Sequence, residues 1–149
     1  MATTNWRSIF AAHGRVAAEE IVSGVGLTHV YAFTQGAEAH AHGESEDTIS
    51  AEWIAERADK GDLTCSGALD LFMECMGNVA GDHALAVMAR GGVYLTGGVI
   101  ARLHGRLAES RFCEAFCATG TLSATLMKIP VRAVINERVA LLGAATIVM

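Results

Sequence analysis

The sequence predicts an α/β domain, rich in helix, with a short parallel sheet. Three observations carry that prediction. Segments with apolar residues at i, i+3 and i+4 dominate, the clearest running from Ser66 to Arg90. Two short β-prone runs, Val93–Leu95 and Ile129–Ile135, are separated by helical pattern, the order of a right-handed βαβ unit. Hydrophobic residues make up 52% of 149 residues, enough to build the core of one domain and too little chain for two.

The elements follow in order. Asn5–His13 reads as a short helix ending at Gly14. Ala17–Val22 and Leu27–Phe33 read as helical on either side of a Ser23-Gly24-Val25-Gly26 turn. Composition then shifts: eight of the sixteen acidic residues lie between Gln35 and Asp62, so 35–49 is expected to be an exposed acidic loop. Ser50 is a good N-cap for a helix Ala51–Lys60, which Gly61 ends.

Ser66–Arg90 should be a largely buried helix of about six turns, because nearly its whole circumference is apolar or small. Gly77 and Gly81 each cost about 1 kcal/mol against alanine there. Their spacing of four places both on one face, where another backbone can approach closely. Val93–Leu95, bracketed by glycine pairs, reads as a buried strand. Val99–Leu107 and Arg111–Ala118 return to helix, and Leu141–Met149 reads as a closing helix. Two strands make a poor sheet, so something else should supply neighbours.

Composition narrows the function classes. The net charge is −5 and only Lys60 and Lys128 are lysines, which disfavours a nucleic-acid partner. The apolar stretches Gly91–Ala101 and Val139–Met149 have eleven residues each, short of the roughly 18–20 that span a bilayer. No membrane association is expected. The four cysteines, at 65, 75, 113 and 117, form no Cys-x-x-Cys pair. Cys75, Cys113 and Cys117 read as buried small hydrophobes, and a reduced, cytoplasmic setting is the simpler expectation.

The most informative chemical feature is Gly97-Gly98, placed after a strand and before a helix. Open α/β sheets bind ligands beyond the carboxyl ends of their strands, and glycine lets a ligand touch backbone. A tight turn with no ligand explains the pair equally well. Weaker candidates surround it. His40 and His42, with Glu38, Glu44, Glu46 and Asp47, have metal-ligand chemistry but no fixed geometry, so no metal is assigned. His83 reads as a hydrogen-bonded core or interface histidine, and Met73, Met76 and Met88 as core filler.

Several longer pieces resemble the C-terminal part of bacterial glucokinase, of the hexokinase/actin-like ATPase superfamily. They are Gly14-Arg15-Val16-Ala17-Ala18-Glu19-Glu20-Ile21-Val22-Ser23-Gly24-Val25-Gly26-Leu27, the helix from Ala68-Leu69-Asp70-Leu71-Phe72 to Gly81-Asp82-His83-Ala84-Leu85, and Gly92-Val93-Tyr94-Leu95-Thr96-Gly97-Gly98-Val99-Ile100-Ala101-Arg102. Ile129-Pro130-Val131 and Leu141-Leu142-Gly143-Ala144-Ala145 complete the set, in the family's order and spacing. The resemblance implies the C-terminal portion of an actin-like (ribonuclease H-like) fold as a single domain over 1–149, with the family's N-terminal domain absent.

It also implies roles. Gly97 and Gly98 look like the adenosine-binding motif, and Glu19 stands where the family hydrogen-bonds a sugar hydroxyl. Read from the residues alone, Glu19 is a solvated charge beside Glu20. Ser23, Gly24 and Gly26 match a Ser-Gly-Pro-Gly turn in which Val25 replaces proline. The implied activity is ATP-dependent hexose phosphotransfer, glucose to glucose 6-phosphate, with ATP and Mg²⁺ as the family's requirements.

The sequence lacks other parts that the family uses: the Asp-x-Gly-Gly-Thr phosphate loop, the Asn-Asp pair carrying the catalytic base, the Gly-Thr-Gly loop and the Glu-x-Gly-His sugar motif. No catalytic residue is therefore assigned. The expectation is a kinase module, incomplete and inactive alone, that works as a homodimer or with an N-terminal kinase domain. The alternative is a non-catalytic assembly or regulatory domain that keeps the fold.

Overall fold

The computed structural model describes residues 14–35, 49–136 and 138–148. The predicted helix Asn5–His13 and nearly all of the 35–49 loop, with His40 and His42, lie outside the described residues. Gln35 itself closes a helix.

A single 3₁₀ turn, Ala18–Glu20, precedes α1 (Gly24–Gln35). Ser23-Gly24-Val25-Gly26 is thus the start of a helix rather than a break between two. The Gly26 N–H donates to Ser23 Oγ at 2.9 Å, satisfying one donor that the first turn leaves orphaned. The helix α2 (Ala51–Asp59) begins as expected: the Trp53 N–H donates to Ser50 Oγ at 3.2 Å.

The longest element is α3 (Leu63–Ala86), 24 residues. It starts three residues earlier than the apolar pattern suggested, because Asp62 caps it and accepts from the N–H groups of Thr64 and Cys65, each at 3.0 Å. It ends four residues short of Arg90, where Met88 takes a left-handed φ of 47°. Met88 is exposed, not core filler, whereas Met73 and Met76 are buried. The core gathers around α3. Leu27, Val30 and Tyr31 of α1, and Ile54, Ala55 and Ala58 of α2, pack against its Cys65, Ala68, Leu69, Phe72 and Met73. Tyr31 meets Trp53 edge-on, ring centres 5.7 Å apart.

After α3 come β1 (Val93–Leu95), α4 (Gly98–Leu103), α5 (Phe112–Cys117), the single turn α6 (Ser123–Leu126), β2 (Val131–Ala133) and α7 (Val139–Val148). The strands β1 and β2 pair in parallel, Val93 opposite Val131, Tyr94 opposite Arg132 and Leu95 opposite Ala133. This is the crossover order that the sequence predicts. The strands are not buried, however. Val93 and Leu95 face the helices, while Tyr94 is 60% exposed under the Arg132 guanidinium, 5.6 Å from the ring centre. No further strand flanks them among the described residues. On the outer face of the sheet Tyr94 and Arg132 are exposed.

The helix α5 crosses α3 at Gly77 and Gly81, burying Phe112 and Phe116. Cys65 is buried, Cys75 and Cys117 are half-buried, and Cys113 is exposed, correcting the reading of Cys113 as core. Its helix turns only Phe112, Ala115 and Phe116 fully inward.

Candidate functional site

The site is built around the β1–α4 turn. Gly97 caps α4 with φ 114° and ψ 165°, a conformation that side-chain-bearing residues avoid. Gly98 has no such constraint, and nothing lies within 4 Å of where its Cβ would be. The two glycines thus have different reasons to be glycine. Both have open space above the backbone, but only Gly97 also needs glycine for its φ.

That space belongs to a cleft of about 600 Å³, lined by α3, β1, the β1–α4 turn and the start of α1. Met76, Val79, Ala80 and Ala84 form the α3 wall, Val93 and Leu95 the strand wall. Ser23, Thr96 and His83 bring the polar side chains. Among the described residues, no carboxylate, lysine or arginine lines the cleft.

His83 is hydrogen-bonded, as expected, but it does not belong to the core. It is exposed at the cleft, and its Nδ1–H donates to the Val79 carbonyl at 2.8 Å. This bond within α3 leaves Nε2 as the ring's acceptor. Along its face of α3, Leu69, Phe72 and Met76 are buried, Val79 is half-buried and His83 is exposed, so the cover ends before His83. Nothing in the sequence marked Thr96 as a cleft residue. Its place between Leu95 and the glycines was the one available signal.

Glu19 is positioned indirectly. It lies exposed on the 3₁₀ turn Ala18–Glu20. The His29 ring binds that turn to α1, its Nδ1–H donating to the Glu20 carbonyl at 3.0 Å. The head of α1 in turn rests on α4, with a Cβ placed on Gly24 lying 3.7 Å from Val99 Cγ2. Ser23, Gly97 and Gly98 therefore share one cleft, and Glu19 stands outside its lining, one short turn upstream of Ser23. Among the described residues no three His, Cys, Asp or Glu side chains gather as a metal site.

The geometry suits a flat, weakly polar group that approaches the Gly97–Gly98 backbone over an apolar floor. Among the described residues that line the cleft, His83 is the one titratable side chain, and no carboxylate, lysine or arginine stands there to neutralise phosphate or hold a metal.

Comparison with known proteins gives consistent results. A family model described as Glucokinase matches residues 2–149. The glucokinase of Cupriavidus metallidurans is 38% identical over 141 residues, 94% of this chain and 41% of that protein. The glucokinase of Saccharophagus degradans is 37% identical over 140 residues, 93% of this chain and 42% of that protein. The crystal structure of a glucokinase from an Antarctic psychrotroph superposes with a TM-score of 0.77 at 31% identity, covering 99% of this chain and 46% of that one. The chain thus spans about two fifths of the length of the curated relatives it matches.

Proposed function

The chain belongs to the glucokinase family, and from that membership we propose that it carries the adenosine-facing part of an ATP-dependent hexose phosphotransferase site. Its fold is the C-terminal, actin-like part of that family's architecture. The observation that carries the reading is the Gly97–Gly98 turn, with a left-handed φ at the first glycine and free space at both. A nucleotide can reach the backbone there without meeting a side chain. Glu19, held near α1 by the Glu20–His29 bond, is the proposed sugar contact.

The same cleft supports a second statement, that the chain does not turn over glucose by itself. Phosphoryl transfer depends on positioning the phosphates and neutralising their charge. Among the described residues, no lysine or arginine lines the cleft, and no carboxylate lines it to hold Mg²⁺. The residues present fit a nucleoside, not a metal-bound triphosphate. The remaining groups would come from a kinase domain of the kind that fills the rest of the family's length; a second copy of the chain lacks the same motifs.

Two measurements test this. A coupled assay with glucose, ATP and Mg²⁺ should show no turnover above background from the pure chain. ADP should nonetheless raise its melting temperature. Turnover abolished by Glu19→Gln would overturn the claim of an incomplete site. Absence of any ADP shift would favour the non-catalytic assembly or regulatory reading.

A further inference from the structure

Cys113 and Cys117 stand four apart on α5. Residues at that spacing share a helix face, with Cβ atoms about 5–6 Å apart. Cys113 is exposed, and its Sγ lies 3.9 Å from the Leu107 carbonyl, to which a thiol donates only weakly. Cys117 is half-buried and packs against the core. The thiols are within electrostatic reach of each other: Cys117 is raised above its ordinary value first by burial and then by Cys113. Among the described residues that line the Gly97–Gly98 cleft, none belongs to α5.

The spacing disfavours one use of the pair. A disulfide needs Cβ atoms about 3.5–4.5 Å apart and a sulfur–sulfur bond of about 2.05 Å. A continuous helical turn holds the two Cβ atoms farther apart than that, so closure has to unwind the end of α5. The same gap suits an ion held between the sulfurs. Two bonds of about 2.3 Å, the length a thiolate makes to zinc, span up to about 4.6 Å from sulfur to sulfur. Rotation of the side chains supplies that separation without moving the backbone.

The ligand count says which ion. Zinc takes four ligands in structural sites, and three with a water in catalytic ones. Among the described residues no third His, Cys, Asp or Glu side chain joins the pair. Calcium and magnesium take oxygen ligands. Soft thiolates select copper(I), a filled-shell monovalent ion that two ligands in a line satisfy. The exposed Cys113 gives the ion a way in, and the half-buried Cys117 keeps water from one side of it.

We propose that Cys113 and Cys117 form a two-thiolate site for copper(I). Binding breaks two S–H bonds and forms two sulfur–copper bonds. Both protons go to solvent, each sulfur supplies its electron pair, and nothing is oxidised or reduced. The neutral pair of thiols thereby becomes a complex with a single negative charge. The site is separate from the nucleotide cleft and does not rest on the kinase reading.

The test is an anaerobic competition for copper(I) against bathocuproine disulfonate, whose coloured copper complex bleaches as the chain takes the ion. The reduced chain should withdraw one copper per chain. Cys113→Ser should weaken binding at least a hundredfold. That variant is decisive, because residue 113 is exposed and its replacement should leave the melting temperature unchanged. Cys117→Ser should match it, whereas Cys75→Ser on α3 should bind as the unaltered chain does. X-ray absorption at the copper edge should count two sulfur neighbours. Unchanged binding in Cys113→Ser overturns the proposal, and so does an equal loss in Cys75→Ser. More than two sulfurs per copper assigns the ion to thiols shared between copies and overturns it too. Zinc should stay with the chromophore 4-(2-pyridylazo)resorcinol; its capture by the same two cysteines means that further ligands join them, with the same consequence. None of these readouts uses nucleotide or turnover, so the metal site and the kinase reading fail separately.

Discussion

The backbone of Gly77 faces the carbonyl oxygen of Phe112 so closely that a Cβ at residue 77 would lie 2.4 Å from it. One helical turn on, a Cβ at Gly81 would lie 2.5 Å from the Phe116 carbonyl. Two glycines four apart on α3 therefore meet two carbonyls four apart on α5. Residues at this spacing share a helix face. The apposition holds α5 against α3 and buries Phe112 and Phe116, whose rings stack with centres 6.0 Å apart.

Helix propensity alone would make alanine better than glycine here by about 1 kcal/mol. The contact reverses the sign, because a rigid backbone atom occupies the space and overpacking costs about 1–3 kcal/mol. Gly77→Ala and Gly81→Ala should each lower stability by about 1–2 kcal/mol in urea unfolding. Gly67, on the same helix with open space around it, is the control. Gly67→Ala should raise stability by about 0.5–1 kcal/mol.

A second prediction concerns acid. Asp62 caps α3, and its carboxyl lies below its ordinary 3.8, chiefly because the Cys65 N–H donates to it, with Arg57 and the Thr64 N–H adding to the effect. A carboxylate depressed in the folded state stabilises above its unfolded pKa and loses that contribution as pH falls through the folded value. Stability should decline below about pH 4 in part through this group. Asp62→Asn keeps an accepting oxygen for the cap but cannot titrate, so its melting temperature should fall less between pH 5 and pH 2.5. Asp62→Ala should cost about 1 kcal/mol already at neutral pH. Thermal melts across that range decide both.

Much of this was legible in the sequence, and the reasons differ by element. A close backbone approach to α3 was visible because Gly77 and Gly81 break helix propensity at helical spacing, but that α5 makes it was not. The start of α2 was visible because Ser50 has few other uses immediately before a helical pattern. Burial of the strands was not legible correctly. Val93-Tyr94-Leu95 is apolar enough for the centre of a parallel sheet, but this chain supplies one neighbour and leaves Tyr94 in solvent. The core alternative for His83 fails for a related reason: a stripe gives the direction of a side chain, not where its cover ends. At the site, the glycine pair was visible, but the division of labour between Gly97 and Gly98 is a matter of φ and of empty space, which residue types do not encode.

The cysteines give a third prediction. Burial pushes the Cys65 thiol up to about 11, with the nearby Asp62 carboxylate adding to it. The thiolate is the reactive form, so Cys65 should stay inert to a disulfide reagent until the chain unfolds. Cys113 is exposed on α5 and should react first. Titration with Ellman's reagent under native conditions should show one fast thiol, removed by Cys113→Ser, with Cys65 modified only in denaturant. Fast labelling of Cys65 in the folded chain would contradict its burial under α1.

The last prediction separates the two glycines of the nucleotide turn. Gly97 sits at φ 114°, where any side chain strains the backbone whatever the ligand does. Gly97→Ala should therefore lower the melting temperature without nucleotide, at a cost of about 1–3 kcal/mol. Gly98 adopts an ordinary φ and has no neighbour within 4 Å of its Cβ position. Gly98→Val should leave the fold largely intact and place two methyl groups where the adenosine is proposed to approach. If backbone approach is why residue 98 is glycine, an ADP-induced rise in melting temperature appears in the unaltered chain and vanishes in Gly98→Val, which melts normally by itself. Gly98→Ala, with one carbon, should fall between them. If Gly98→Val retains the full shift, the nucleotide does not pass over residue 98. The open space there then belongs to the cleft's apolar floor, and the turn's glycine requirement rests on Gly97 alone.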